Sequence, residues 1–224
     1  MEKSYRFLPY FFAAFFTKLI YCFWQSYFGH IPDFQNVISP IGNVPIRITG
    51  VTHFHATIVI LWLLMLIVQP ILIIRKQLEW HRLLGKASYV TVGLLVLSLL
   101  LIVNQEQSHA KNLPVFAANL LDVPAFIILY GLTFYFRKKP NYHARFMVMS
   151  VIPFLDPALA RLNLPGVFVG LGLWFLLFIV EFFTNKTYKP YLIGLGYYMI
   201  NLVVVAYLAI ANQPLLDKIW HIFF

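Results

Sequence analysis

Charge is scarce in this sequence. Only 11% of its 224 residues are Asp, Glu, Lys or Arg, against about 25% in ordinary soluble domains. Cysteine is scarcer still: Cys22 stands alone, which excludes an intrachain disulfide and any cysteine-based metal motif. No Gly-rich phosphate loop, nucleophile elbow, His-Glu-x-x-His zinc motif or desaturase-like histidine box occurs, so nucleotide-driven pumping and serine hydrolysis have no machinery here. What is abundant is apolar side chain, 61% of the total, with aromatics making up 18%. A water-soluble core does not account for that proportion. A bilayer does, because each crossing helix needs about 20 mostly apolar residues.

Seven segments meet that requirement: Phe7–Phe28, Val51–Ile74, Ala87–Val103, Val115–Phe136, Ala144–Ala160, Val167–Phe183 and Tyr191–Ala211. The expectation is an all-α polytopic protein forming a single transmembrane domain over residues 1–224. Twelve basic residues fall at one set of segment ends: Lys3, Arg6, Arg75, Lys76, Arg82, Lys86, Arg137, Lys138, Lys139, Arg145, Lys186 and Lys189. Four, Arg47, Lys111, Arg161 and Lys218, fall at the other. Positive ends stay in the cytoplasm, which places the N-terminus there and the C-terminus on the outer side, in a bacterial inner membrane. The formal charge of +9 is a topology signal, since the basic residues form no exposed stripe for nucleic acid. The lipid bilayer is the expected partner, with a further membrane subunit or a second copy as candidates.

The first segment reads as a retained helix, because it is too long for a signal-peptide core, contains Lys18 and lacks a small-residue cleavage site. Gly29–Gly50, with three prolines, reads as an outer loop, and Leu215–Phe224 as a short helix in the outer interface. Basic pair, aromatic and His recur in Arg75-Lys76…Trp80-His81 and Arg137-Lys138…Tyr142-His143, which suggests a parallel hairpin repeat over 51–104 and 115–161. The alternative is that inner loops of membrane proteins are rich in such residues.

Ionisable groups inside spans are functional candidates by default. His53 and His55 open the second segment, about 200° apart around a helix. Asn119 and Asp122 share a face of the fourth, and Asp156 lies in the outer part of the fifth. One histidine meeting Asp122 and Asp156, with His109 closing the group, would suit a divalent metal such as zinc, iron or manganese, or a proton relay. Two ion pairs, Lys18 with Asp122 and Arg161 with Asp156, would account for the acids without any ligand. Glu181 reads as snorkelling to the inner interface, and Gln69 and Asn201 as interhelical hydrogen-bonding groups. His81 and His143 begin two different helices at one depth, an arrangement that bis-histidine haem ligation requires.

The succession His53, His81, His109, His143 resembles the histidine plan of the ascorbate-dependent transmembrane cytochrome b family. That resemblance implies two b-type haems, His53 or His55 with His109 and His81 with His143, and an electron-transferring oxidoreductase. It covers the second to fifth segments only. His109 departs from it by lying among Asn104, Gln105, Glu106, Gln107 and Ser108. The run His53-Phe-His55, Trp62, Gln69-Pro70, Trp80-His81-Arg82-Leu-Leu-Gly85 also resembles uncharacterised bacterial polytopic membrane proteins. Three function classes follow: electron transfer through haem, a membrane metalloenzyme built on His53, His55, Asp122 and Asp156, and a proton-coupled transporter or structural subunit.

Overall fold

A computed structural model describes residues 6–41, 45–109, 111–184 and 189–224. Lys3 and Lys186, used above for topology, lie outside them. Apart from one isolated bridge between Ile38 and Pro45, all regular structure among the described residues is helical: α1 Leu8–Cys22, α2 Gly50–Ile74, α3 Leu78–His109, α4 Leu113–Tyr135, α5 Pro140–Ser150, α6 Leu155–Ala160, α7 Gly166–Phe183, α8 Lys189–Ala206 and α9 Gln213–Phe223. The chain divides into two compact units, one ending at Gln105 and the other starting at Glu106.

Among the described residues, five helices are long and apolar enough to cross a membrane: α2, α3, α4, α7, and α8 continued by a π turn to Ala211. The chain is an integral membrane protein. Its side chains are sorted accordingly, with Leu61, Leu64 and Val68 of α2, Leu97 and Leu100 of α3 and Ile200 and Val203 of α8 exposed. Helices that are apolar all round need lipid on the outer face.

Two expected spans take other forms. The first is the 15-residue α1. The fifth is interrupted: α5 ends at Ser150, a 3-10 turn spans Ile152–Phe154, and α6 resumes at Leu155. Pro153 has no N–H to continue the helical ladder, which explains the break. Conversely, α3 runs through the polar Asn104–His109 stretch, so His109 ends a helix instead of occupying a loop.

In the first unit, α1 buries Phe12, Phe15, Leu19 and Cys22 at helical spacing and packs on α2. α2 turns Ile58, Trp62, Leu66 and Pro70 inward, four residues apart. Its start is fixed by Thr49, whose hydroxyl accepts from the Val51 N–H while Thr52 Oγ1 accepts from the Thr49 N–H, so both orphan donors are satisfied. Its end is closed by Lys76 at φ 59°, with the Gln77 N–H bonded back to the Leu72 carbonyl at 2.8 Å.

In the second unit, α4 and α5 form a hairpin against α8, and α7 packs on α6 and α8. Its core holds Phe126, Leu129, Phe146, Met149, Leu159 and Trp174, all under 2% exposed. Trp174 Nε1 donates to Met149 Sδ at 2.9 Å. Gly194 of α8 lets this pair close: a Cβ there would lie 2.7 Å from Met149 Sδ and 2.8 Å from Trp174. α4 and α9 start alike, at Asn112 and Asn212, each accepting a backbone N–H three residues on, with proline two residues after the asparagine.

Candidate functional site

The first unit holds His53, His55 and His81; the second holds His109 and His143. His53 and His55 diverge as their spacing requires. His53 Nδ1 meets Tyr27 Oη at 2.7 Å, with the rings of Tyr27 and Phe34 at 5.6 and 4.7 Å. His55 turns to α3, where its Nδ1 lies 3.0 Å from Ser98 Oγ. The Ser98 hydroxyl already donates to the Leu95 carbonyl at 2.8 Å. Its oxygen must therefore accept from His55, which places the neutral imidazole proton on Nδ1.

His81 Nδ1 sits 3.3 Å from the backbone carbonyl of Gln69, one turn before the end of α2. The Gln69 amide, in the orientation that satisfies both its ends, reaches His81 and accepts from the Gly85 N–H at 2.9 Å, linking α2 to α3 as expected of that residue. In the other unit, His143 also lies against a carbonyl near the end of the preceding helix. Its Nδ1–H donates to the Thr133 carbonyl at 2.9 Å. That carbonyl is available because α4 tightens at its end: the Arg137 N–H turns to Phe134, three residues back. His109, the last residue of α3, is exposed.

Among the described residues, no three His, Cys, Asp or Glu side chains gather closely enough to hold a metal ion. Lys18 lies on the exposed side of α1, in the unit that does not contain Asp122.

The second unit does bring two of the candidate acids near one another. Asp122 and Asp156 lie within electrostatic reach of one another, and Tyr198, 2% exposed, lies within reach of both. Each acid sits at an irregularity. Asp122 precedes Pro124 inside α4, which removes one helical N–H. From α8, Asn201 Nδ2 donates to the Leu121 carbonyl at 3.0 Å, so Asn201 is an interhelical hydrogen-bonding group. Asp156 opens α6 just after the 3-10 break.

The two carboxylates are held differently. Asp156 Oδ1 accepts from the Val167 N–H at 3.0 Å, capping the start of α7 from a neighbouring helix. Gly166 permits this approach, since a Cβ there would lie 2.7 Å from Asp156 Oδ1. Arg161 Nη1 donates to the Pro157 carbonyl, four residues back. Asp122 Oδ1 is sealed from solvent and has no hydrogen-bond donor among the described residues, and the same holds for an acceptor to Asn119 Nδ2, one turn earlier. Buried polar atoms without partners are rare enough that each calls for a physical explanation.

Glu181 does not snorkel. It forms a buried ion pair with Arg145, Nη2 to Oε2 at 2.6 Å and Nε to Oε2 at 2.7 Å, and Arg145 Nη1 also donates to the Asn141 carbonyl at 2.9 Å. Tyr198 escaped the sequence reading, because a tyrosine among Gly194, Gly196, Tyr197 and Met199 has no pattern that marks it. Its placement three residues before Asn201, on the same face of α8, was the available signal.

No family model matches the chain, and neither a curated protein nor a solved structure matches it.

Proposed function

We propose that this chain is a seven-span, proton-coupled membrane carrier in which Asp122 and Asp156 form the proton-exchanging centre. One observation carries the proposal: a carboxyl oxygen of Asp122, buried and without a donor among the described residues, lies within electrostatic reach of a second carboxyl group, Asp156, at the break between α5 and α6. Transporters place their sites at discontinuous helices, where irregular backbone lines the path. Asp156, tied to the start of α7, is the fixed partner in this scheme. Asp122 is the one whose oxygen is available to take up and release a proton, with Tyr198 beside both.

The seven crossings are the five long helices, α1, and the α5–α6 pair taken together. The basic inner ends put the N-terminus in the cytoplasm and the C-terminus on the outer side of a bacterial inner membrane. Labelling of single cysteines introduced at Lys138 and Lys218 in a Cys22→Ser background, in intact cells, checks this orientation.

The test of the centre is proton flux. In proteoliposomes carrying an internal pH dye, the wild-type protein dissipates an imposed pH gradient, and Asp122→Asn abolishes that flux while helical content and melting temperature hold. Flux unchanged in Asp122→Asn overturns the proposal. Collapse of the fold in both Asp122→Asn and Asp122→Ser assigns the pair a structural role instead.

A second reading, b-type haem, rests on the histidine tautomers. His55 and His143 commit Nδ1–H to oxygen acceptors, which makes Nε2 the basic nitrogen, as in histidines that bind metal. An absorbance spectrum of protein purified from haem-supplemented cells tests it, and a colourless preparation rejects it.

A further inference from the structure

Arg137, Lys138 and Lys139 follow one another at the turn between α4 and α5, and all three are exposed. None of them pairs with a carboxylate among the described residues. Arg145, nearby in sequence, is turned away and committed to Glu181. Lys139 Nζ lies 5.9 Å from the Phe136 ring and 5.8 Å from the Tyr142 ring, so its charge is held by two aromatic faces. Lys139, Pro140, Asn141 and Tyr142 line a depression of about 230 Å³. The turn is well fixed: Lys139 N–H bonds to Phe136 at 2.8 Å, Tyr142 N–H to Lys139 at 2.9 Å, and His143 ties α5 to the end of α4.

We propose that this depression binds the phosphodiester headgroup of an anionic phospholipid. Three cations with no carboxylate partner among the described residues call for an anion, and their position selects its source. They stand at the end of a 23-residue apolar helix. Tyr135, 78% exposed, marks the interfacial level beside them, and Ile127 and Ile128, both 42% exposed, continue an apolar surface along α4 for the acyl chains. A free phosphate would use the cations and leave that surface without a role. The site is independent of the carboxyl pair, and its success or failure says nothing about proton flux.

The test uses the full-length protein purified in neutral detergent and titrated with phosphatidylglycerol or phosphatidylcholine, with bound lipid counted by native mass spectrometry. The expected result is retention of phosphatidylglycerol over phosphatidylcholine. In an R137Q/K138Q/K139Q variant that keeps the wild-type melting temperature, affinity falls roughly tenfold or more, given the attraction each basic residue contributes at an anionic surface. An R75Q/R82Q/K86Q variant, equal in charge change but placed in the other unit, keeps wild-type binding at this site. Equal loss in both variants, or no loss in the first, overturns the proposal. So does displacement of phosphatidylglycerol by millimolar inorganic phosphate alone, which would make this a free-anion site.

Discussion

Arg145 of α5 and Glu181 of α7 form an ion pair whose side chains are 3% and 13% exposed. Removing one partner of such a pair leaves a buried charge without compensation, at about 3–5 kcal/mol. Glu181→Ala is expected to destabilise the second unit by that order, read as a lower midpoint of detergent-induced unfolding. Replacing both residues by leucine should recover most of the loss. A single variant as stable as wild type would show that the charges are solvated.

Gly194 offers a packing test with an internal control. A methyl group there has to displace Met149 Sδ and the Trp174 ring, and overpacking of a filled core costs about 1–3 kcal/mol. Gly194→Ala is expected to lower the melting temperature. Gly131→Ala, at a helical position where an added Cβ meets nothing within 4 Å, is expected to leave it unchanged or raise it.

Docking of α9 is expected to respond to acid. Asp217 pairs with Lys111, whose Nζ also lies 4.7 Å from the Trp220 ring centre, and Trp220 Nε1 donates to Gln107 Oε1 at 2.9 Å. The hydrogen bond from Lys111 holds the Asp217 carboxyl below its ordinary value. A depressed carboxylate stabilises the docked state above the unfolded value of about 3.9. That contribution is lost as pH falls through the lower, folded value. A spin label on Lys218→Cys in a Cys22→Ser background should therefore gain mobility only below about pH 4. In Asp217→Asn the label should already be mobile at neutral pH, and identical mobility in the two proteins at pH 7 would rule the latch out.

The membrane class was legible because composition and run length leave no other solvent for so much apolar side chain. Less legible was where helices stop. Polarity at Asn104–His109 reads as loop, yet Gln105 and Gln107 sit in α3 because each has a partner: Gln105 Nε2 donates to the Arg47 carbonyl at 3.2 Å, and Gln107 spans the Asn112 backbone. The α5–α6 break was not legible either: Pro153 removes one N–H, but the Ile152–Phe154 turn that completes the break is a property of local packing. Of the candidate residues, Asp122 and Asp156 stood out through the cost of acids in hydrocarbon. Their different environments did not, since the Val167 N–H that holds Asp156 is eleven residues away and depends on Gly166 allowing close approach. Glu181 was misplaced for a similar reason: nothing 36 positions earlier marks Arg145 as its counter-ion.

The length of α1 has a consequence for the surrounding lipid. Fifteen residues extend only about 22 Å as a helix, against a hydrocarbon layer of about 30 Å. In the seven-span arrangement proposed above, the α1 crossing draws the adjacent leaflets inward and favours short acyl chains around it. The protein should partition toward the thinner regions of a laterally mixed bilayer, so bilayer thickness itself is a variable to control in any reconstitution.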